Sequence, residues 1–174
     1  MVILPHRRKS FRQTSSGGGG STDPYFANVV LLMHFNGTNG STSMIDSSSS
    51  NKALTSNNGA SLSTTSPKFG TASLFTDGVN DYVSTNVGSA DFNYGTSTDF
   101  TVEFWLKSDS TDPTGCGICL NGNSLYVTLI GSTLYFGNGA VNMVTASWTG
   151  LHDTWQFVMA RRSGSTCELF VNGV

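Results

Sequence analysis

Glu103 and Glu168 are the two glutamates of this 174-residue chain, and hydrolysis of a glycosidic bond needs a pair of carboxylates flanking that bond. Glu103 alternates with apolar residues in "DFTVEFWLKS", where it takes the polar side beside Trp105, and Glu168 lies in "CELFVNG". They lie 65 positions apart rather than in one strand, and a lone outward carboxylate is ordinarily solvated. His34, between Met33 and Phe35, has no Asp or Ser beside it in a catalytic arrangement, and no Gly-x-Ser-x-Gly elbow occurs. It reads as a packed or edge histidine. No catalytic residue is assigned, and the chain is expected not to be an enzyme.

Cys116 and Cys119 form "CGIC", the spacing of a redox or metal pair. Zinc would need two further ligands from Cys167, His152, His34 and His6, which are scattered. A dithiol redox site would need a strand leading into a helix, whereas Gly-rich turns flank this one. Small residues in a loop-and-strand segment are the expected reading.

The elements that would position these residues are strands. Charged residues make up 11% of the chain, well under the roughly 25% of ordinary soluble domains. Twenty glycines and many Ser, Thr and Asn residues suit turns and strands, while helix formers are sparse. Val29 to Phe35 is an apolar run of strand length ended by Asn36-Gly37, and it is expected to be a strand covered on both faces. Ala53 to Ser56 and Ala60 to Ser63 predict a hairpin around "NNG". "ASLFTDGVNDYVST" predicts two strands about Asp77-Gly78. In "DFTVEFWLKS", Phe100, Val102, Phe104 and Leu106 face one way, with period 2. "SLYVTLIGSTLYFGNG" predicts a hairpin at Gly131-Ser132, Val141 to Ser147 a further strand, and "TWQFVMARRSGSTCELFVNG" a hairpin across Ser163-Gly164. Nine or ten short strands without a helix imply an all-β sandwich or barrel.

Charge is split along the chain. Residues 1–22 hold Arg7, Arg8, Lys9 and Arg12 and no acid, hence +4; the rest holds five bases and eleven acids, hence −6. "TSSGGGGST" has the composition of a flexible linker, and Asp23-Pro24 opens the body. The expected domains are a basic, Gly/Ser-rich arm over 1–23 and a body over 24–174. A basic arm on an acidic body suits docking of the arm on an anionic partner surface or on nucleic acid; the alternative is a solubilising tail. No run approaches the ~20 apolar residues of a membrane span, and "MVILPHRRKSF" is not a secretory signal. The expected location is the cytosol or a particle assembled there.

"VVLLMHFNGTNGST", "DSSSSNKALTSNNGASLSTTSPKFGTASLFTDGVNDYVST", "DFTVEFWLKS" and "TWQFVMARRSGSTCELFVNG" follow one another in an order and spacing that resemble the concanavalin A-like (laminin-G-like) jelly-roll family. More narrowly, they resemble its version in bacteriophage tail and virion proteins. The resemblance covers roughly residues 25–174. It implies a two-sheet antiparallel jelly-roll sandwich preceded by an extended arm. It also implies further strands after Asn172-Gly173, so the body is expected to lack its last strands; either the sequence is truncated, or a neighbouring chain pairs the edge.

Laminin-G-like domains often bind calcium through loop oxygens, which makes Asp77, Asn80 and Asp81 of "TDGVND" calcium candidates, with Asp46 in a separate loop. Asp-Gly is also an ordinary turn sequence, and no other cofactor is expected. For sugars, the aromatics Trp148, Trp155 and Tyr94 with Asn138 and Asn142 are available, although Trp155 reads as core; no glycan site is assigned. The resemblance and charge split together imply a non-enzymatic virion structural protein, a capsid decoration or fibre component present in many copies. It would be anchored by Arg7, Arg8, Lys9 and Arg12 to other virion proteins and display a lectin-like body to glycans. The alternative is a free, secreted or cell-surface carbohydrate-binding module or adhesin, calcium-dependent.

Overall fold

The structure, a computed structural model, describes residues 2–4, 23–85, 92, 94, 98–108, 114–120, 125–138, 141–148 and 152–174; for 2–4, 114–120, 138 and 141–142 it describes the backbone alone. Thirteen strands occur among the described residues. They are β1 (Val2–Leu4), β2 (Leu31–Leu32), β3 (Leu54–Asn57), β4 (Ser61–Ser63), β5 (Ser73–Phe75), β6 (Tyr82–Thr85), β7 (Phe100–Leu106), β8 (Thr114–Leu120), β9 (Leu125–Ile130), β10 (Thr133–Asn138), β11 (Val141–Ser147), β12 (Gln156–Ser163) and β13 (Thr166–Val171). A 3-10 turn, Phe26–Asn28, precedes β2.

A five-stranded antiparallel sheet in the order β13-β12-β7-β1-β2 faces a four-stranded one in the order β11-β10-β9-β8. β7 supplies Phe100, Val102 and Phe104 to the space between them, β12 supplies Val158 and Ala160, and the other sheet answers with Val127, Leu129, Leu134 and Phe136. All of these are buried; each large one is worth about 1.5–3 kcal/mol relative to exposure. The alternation read in "DFTVEFWLKS" is observed, with burial at every second residue of β7 from Phe100 to Phe104. The hairpin of β9 and β10 turns at Gly131, whose φ of +56° requires a residue without a side-chain clash. β12 and β13 form the last expected hairpin, with Ser163 opposite Thr166. Cys116 and Cys119 fall within β8, in register with Leu129 and Tyr126.

Three local readings are corrected. The apolar run from Val29 is not covered on both faces: Val29, Leu31 and Met33 are buried, Val30 and Leu32 are half-buried, and His34 is exposed. Its strand is also short: β2 ends at Leu32, Met33 forms an isolated bridge with Asp46, and Phe35 then adopts a φ of +56°. β3 and β4 do not form a hairpin; β3 pairs with β6, and β4 with β5. The amides of Gly59 and Ala60 both donate to the Asn57 carbonyl, at 2.8 and 3.2 Å, and Asn58 has a φ of +63°. This tight corner passes the chain from one two-stranded sheet into another. Finally, Val2–Leu4, expected to belong to the arm, lie within the sheet. Val2 and Ile3 pair with Leu32 and Leu31 on one side, and Val2, Ile3 and Leu4 with Glu103, Val102 and Thr101 on the other. β-branched Val and Ile suit such a central strand. The basic residues Arg7, Arg8, Lys9 and Arg12 lie outside the described residues.

Candidate functional site

Side chains alternate along a strand, so residues that β7 and β12 withhold from the core line the opposite, outer face of the five-stranded sheet. From β7 these are Thr101, Glu103 and Trp105; from β12 they are Phe157, Met159 and Arg161; from β13 they are Glu168 and Phe170. All are half-buried. The register sets Phe157 beside Trp105, Met159 beside Glu103 and Phe170, and Arg161 beside Glu168. The Trp105 and Phe157 rings are 5.4 Å apart, and Phe69 meets Trp105 edge-on at 5.7 Å while remaining 54% exposed. The Lys68 ammonium stands 4.0 Å over the Trp105 ring.

The rim that carries Lys68 and Phe69 is pinned at neighbouring points. The Trp155 indole N–H donates to the Ser66 carbonyl at 3.1 Å, and Lys107 donates to Ser66 Oγ at 3.4 Å while pairing with Asp153 at 3.0 Å. Trp155 is thus a half-buried rim residue rather than core. On the far side, Arg161 Nε donates to Glu168 Oε2 at 2.6 Å, a bond that raises the Arg161 pKa. That pair neutralises both charges.

Glu103 differs from its neighbours. Burial pushes its carboxyl pKa up, while attraction from the chain's N-terminal ammonium works the other way and offsets part of that rise. Glu103 and Glu168 share a face but sit two strands apart and offset by two residues, roughly 12 Å between backbones by sheet geometry. Paired glycosidase carboxyls stand about 5–5.5 Å apart in retaining enzymes and about 6.5–9.5 Å apart in inverting ones. An aromatic face that carries a half-buried carboxyl is suited to stacking and hydrogen bonding.

The calcium candidates fall in one turn whose carboxylates bond to its own backbone. Asp81 Oδ2 accepts from the Asp77 amide and Asp77 Oδ1 from the Val79 amide, each at 2.9 Å, while the Asn80 carbonyl accepts from Asn58 Nδ2 at 2.7 Å. Asp46 belongs to a different structure. Its carboxylate, 2% exposed, accepts from the Leu32, Ser48 and Lys52 amides at 2.8–2.9 Å and from Ser48 Oγ at 2.8 Å. Burial alone would raise its pKa; those hydrogen bonds outweigh it and hold the carboxyl below the ordinary range. No cluster of three His, Cys, Asp or Glu side chains poised for a metal occurs among the described residues. His34 Nδ1 shares a 3.1 Å hydrogen bond with Ser47 Oγ.

Of the aromatics singled out for sugars, Tyr94 stacks on Phe100 in the core at 4.7 Å and Trp148 packs partly buried against it. Asn138 and Asn142 are described by backbone alone, on the paired β10 and β11. None of these lies on the face that holds Trp105, Phe157 and Phe69. The signal for that face was present in "EFWLK" and "QFVMA", where large apolar residues occupy both sides of a strand.

Fold and site together define an antiparallel two-sheet sandwich with an open, aromatic sheet face. A family model described as the concanavalin A-like lectin/glucanases superfamily matches residues 76–174, more than half of the chain, and the chain belongs to that superfamily. The match begins within the turn after β5, later than the roughly residue 25 from which the sequence blocks resemble the family. No curated protein and no solved structure matches the chain.

Proposed function

We propose that the chain is a non-enzymatic binding domain whose five-stranded outer face takes carbohydrate. It is displayed as a capsid decoration or fibre component of a bacteriophage virion, where Arg7, Arg8, Lys9 and Arg12 attach it to an acidic neighbour. The observation that carries the binding role is the face itself: Phe157 and Phe69 grouped around Trp105, two residues along β7 from Glu103, with Glu168 outside catalytic distance. Aromatic rings present apolar area to the C–H face of a sugar, and Glu103 accepts or donates a hydrogen bond to its hydroxyls. Lys68, held over Trp105 by cation–π attraction alone among the described residues, favours an acidic glycan, which would draw the ammonium off the ring. The virion setting rests on the four sequence blocks and the +4/−6 charge split.

A glycan array probed with the full chain, with and without a chelator, tests the binding role. Acidic glycans are expected to bind in both conditions. Silence in both would sink the reading; binding lost to the chelator would favour a calcium-dependent adhesin, centred on the Asp77–Asp81 turn. Reversing Arg7, Arg8 and Arg12 to Glu tests attachment without removing β1. Unchanged incorporation into particles would rule the basic segment out as the anchor.

A further inference from the structure

β1 is three residues long, yet it stands between β2 and β7 in the middle of the five-stranded sheet. Five register pairs hold it there, two to β2 and three to β7, and it is antiparallel to both. Were Val2–Leu4 withdrawn, β2 and β7 would each present an unpaired backbone edge to the vacated slot. The slot therefore calls for an extended segment with apolar side chains, and "VIL" supplies it.

The segment is joined to the body through residues 5–22, which include four consecutive glycines. A stretch of that length reaches up to about 60 Å fully extended. A body of about 150 residues has a radius of gyration of only about 15 Å, so the reach extends past its own sheet to that of an adjacent molecule. The ladder formed is the same whichever copy supplies the strand. The charges do not oppose exchange either: a +4 segment meets a −6 body in a neighbour as it does in its own chain.

We propose that the slot between β2 and β7 is a strand-acceptor site shared between copies, in which Val2–Leu4 of one chain pairs with β2 and β7 of a second. Exchange of an identical element is a low-cost route to association. Self-pairing competes at an effective concentration of order mM, so exchange dominates where copies are crowded at that density, as on an array. This linkage is independent of glycan binding.

The test mixes full chains carrying Leu4→Cys with full chains carrying Thr101→Cys under mild oxidation. These positions are register partners, and antiparallel partners stand about 4.5–5.5 Å apart between Cα atoms, within disulfide range. Wild-type chain, which has three native cysteines, sets the background. The expected result is a reducible band at twice the 18.4 kDa chain mass, strong at ~1 mM and weak at ~10 μM. It should be lost when the donor also carries Ile3→Pro, because a strand with neighbours on both sides uses every amide. The double variant Leu4→Cys/Thr101→Cys completes the set. If it closes within single chains while the mixture stays at background at ~1 mM, exchange is overturned. If neither cross-links, β1 does not occupy the slot, and the proposal fails as well.

Discussion

Asp46 and Glu103 are both carboxylates drawn out of water, one in the loops beside β2 and the other on the outer face of the five-stranded sheet, and the protein treats them oppositely. Around Asp46 the chain aims three amides and a hydroxyl at one side chain, so its charge is kept and its pKa lowered. Around Glu103 stand Trp105 and Met159, and burial raises the pKa despite the opposing attraction of the N-terminal ammonium. Satisfied polar clusters rigidify a fold, whereas a carboxyl that burial drives toward its neutral form is a functional-site candidate. The first carboxylate organises loops; the second lies on the face proposed to bind a ligand.

The largest expected effect breaks the first member of that pair. Asp46→Ala leaves four donors without their acceptor in a buried place and should cost about 3–5 kcal/mol, read as a lowered denaturation midpoint at pH 7. A loss under 1 kcal/mol would mean that water or a neighbour replaces the carboxylate at little cost.

Next comes the turn that joins the Asn36 loop to the segment before β5. Gly70 has a φ of +65°, and an added Cβ would stand 2.0 Å from Asn36 Oδ1, the atom that accepts the Thr71 amide. Gly78 has a φ of +82° with nothing within 4 Å. Gly70→Ala should therefore destabilise by about 2–4 kcal/mol and Gly78→Ala by only about 1, measured by thermal unfolding. Equal effects would show that backbone conformation alone matters at both.

Smaller, but opposite in sign, are the two titrations. Asp46, lowered when folded, contributes stability above the unfolded value of about 4 and loses it as pH falls toward its folded pKa. Glu103, raised when folded, favours the fold below about 4, and that contribution is lost as pH rises through its folded pKa. Glu103→Gln should remove the loss, leaving stability at pH 7 unchanged or higher by up to about 1 kcal/mol. Destabilisation instead would reveal a structural partner for the carboxylate.

The same contrast governs what the sequence made legible. Strict alternation in Phe100–Leu106 and the Gly-bearing turns at 131 and 164 are local signals, and the strands and hairpins they imply are present. β3 and β4 were misjudged because "NNG" describes the turn and not the partner, which for each is more distant in sequence. The outer face was hidden by β12, whose inward positions include Gln156 and Arg162 while Phe157 and Met159 point outward. Hydropathy read along that strand selects the wrong side. What makes the buried Arg162 tolerable is remote: it donates to the Tyr94 and Thr98 carbonyls and lies over Phe100 at 5.1 Å. Asn172 likewise hydrogen-bonds Gln156. Neither bond is visible from the strand itself. β1 is illegible for the opposite reason, since three apolar residues before a basic run carry too little periodicity to read as a strand.

The central claim, that the face around Trp105 and Glu103 binds glycan without cleaving it, is tested most directly by titrating an array-positive acidic glycan into wild-type chain and Trp105→Ala while assaying the product for new reducing ends. The account predicts saturable binding weakened at least about tenfold, or about 1.4 kcal/mol, by Trp105→Ala, with the glycan recovered intact. Equal affinity in the two proteins, or reducing ends that form with wild type and vanish with Glu103→Gln, would contradict it.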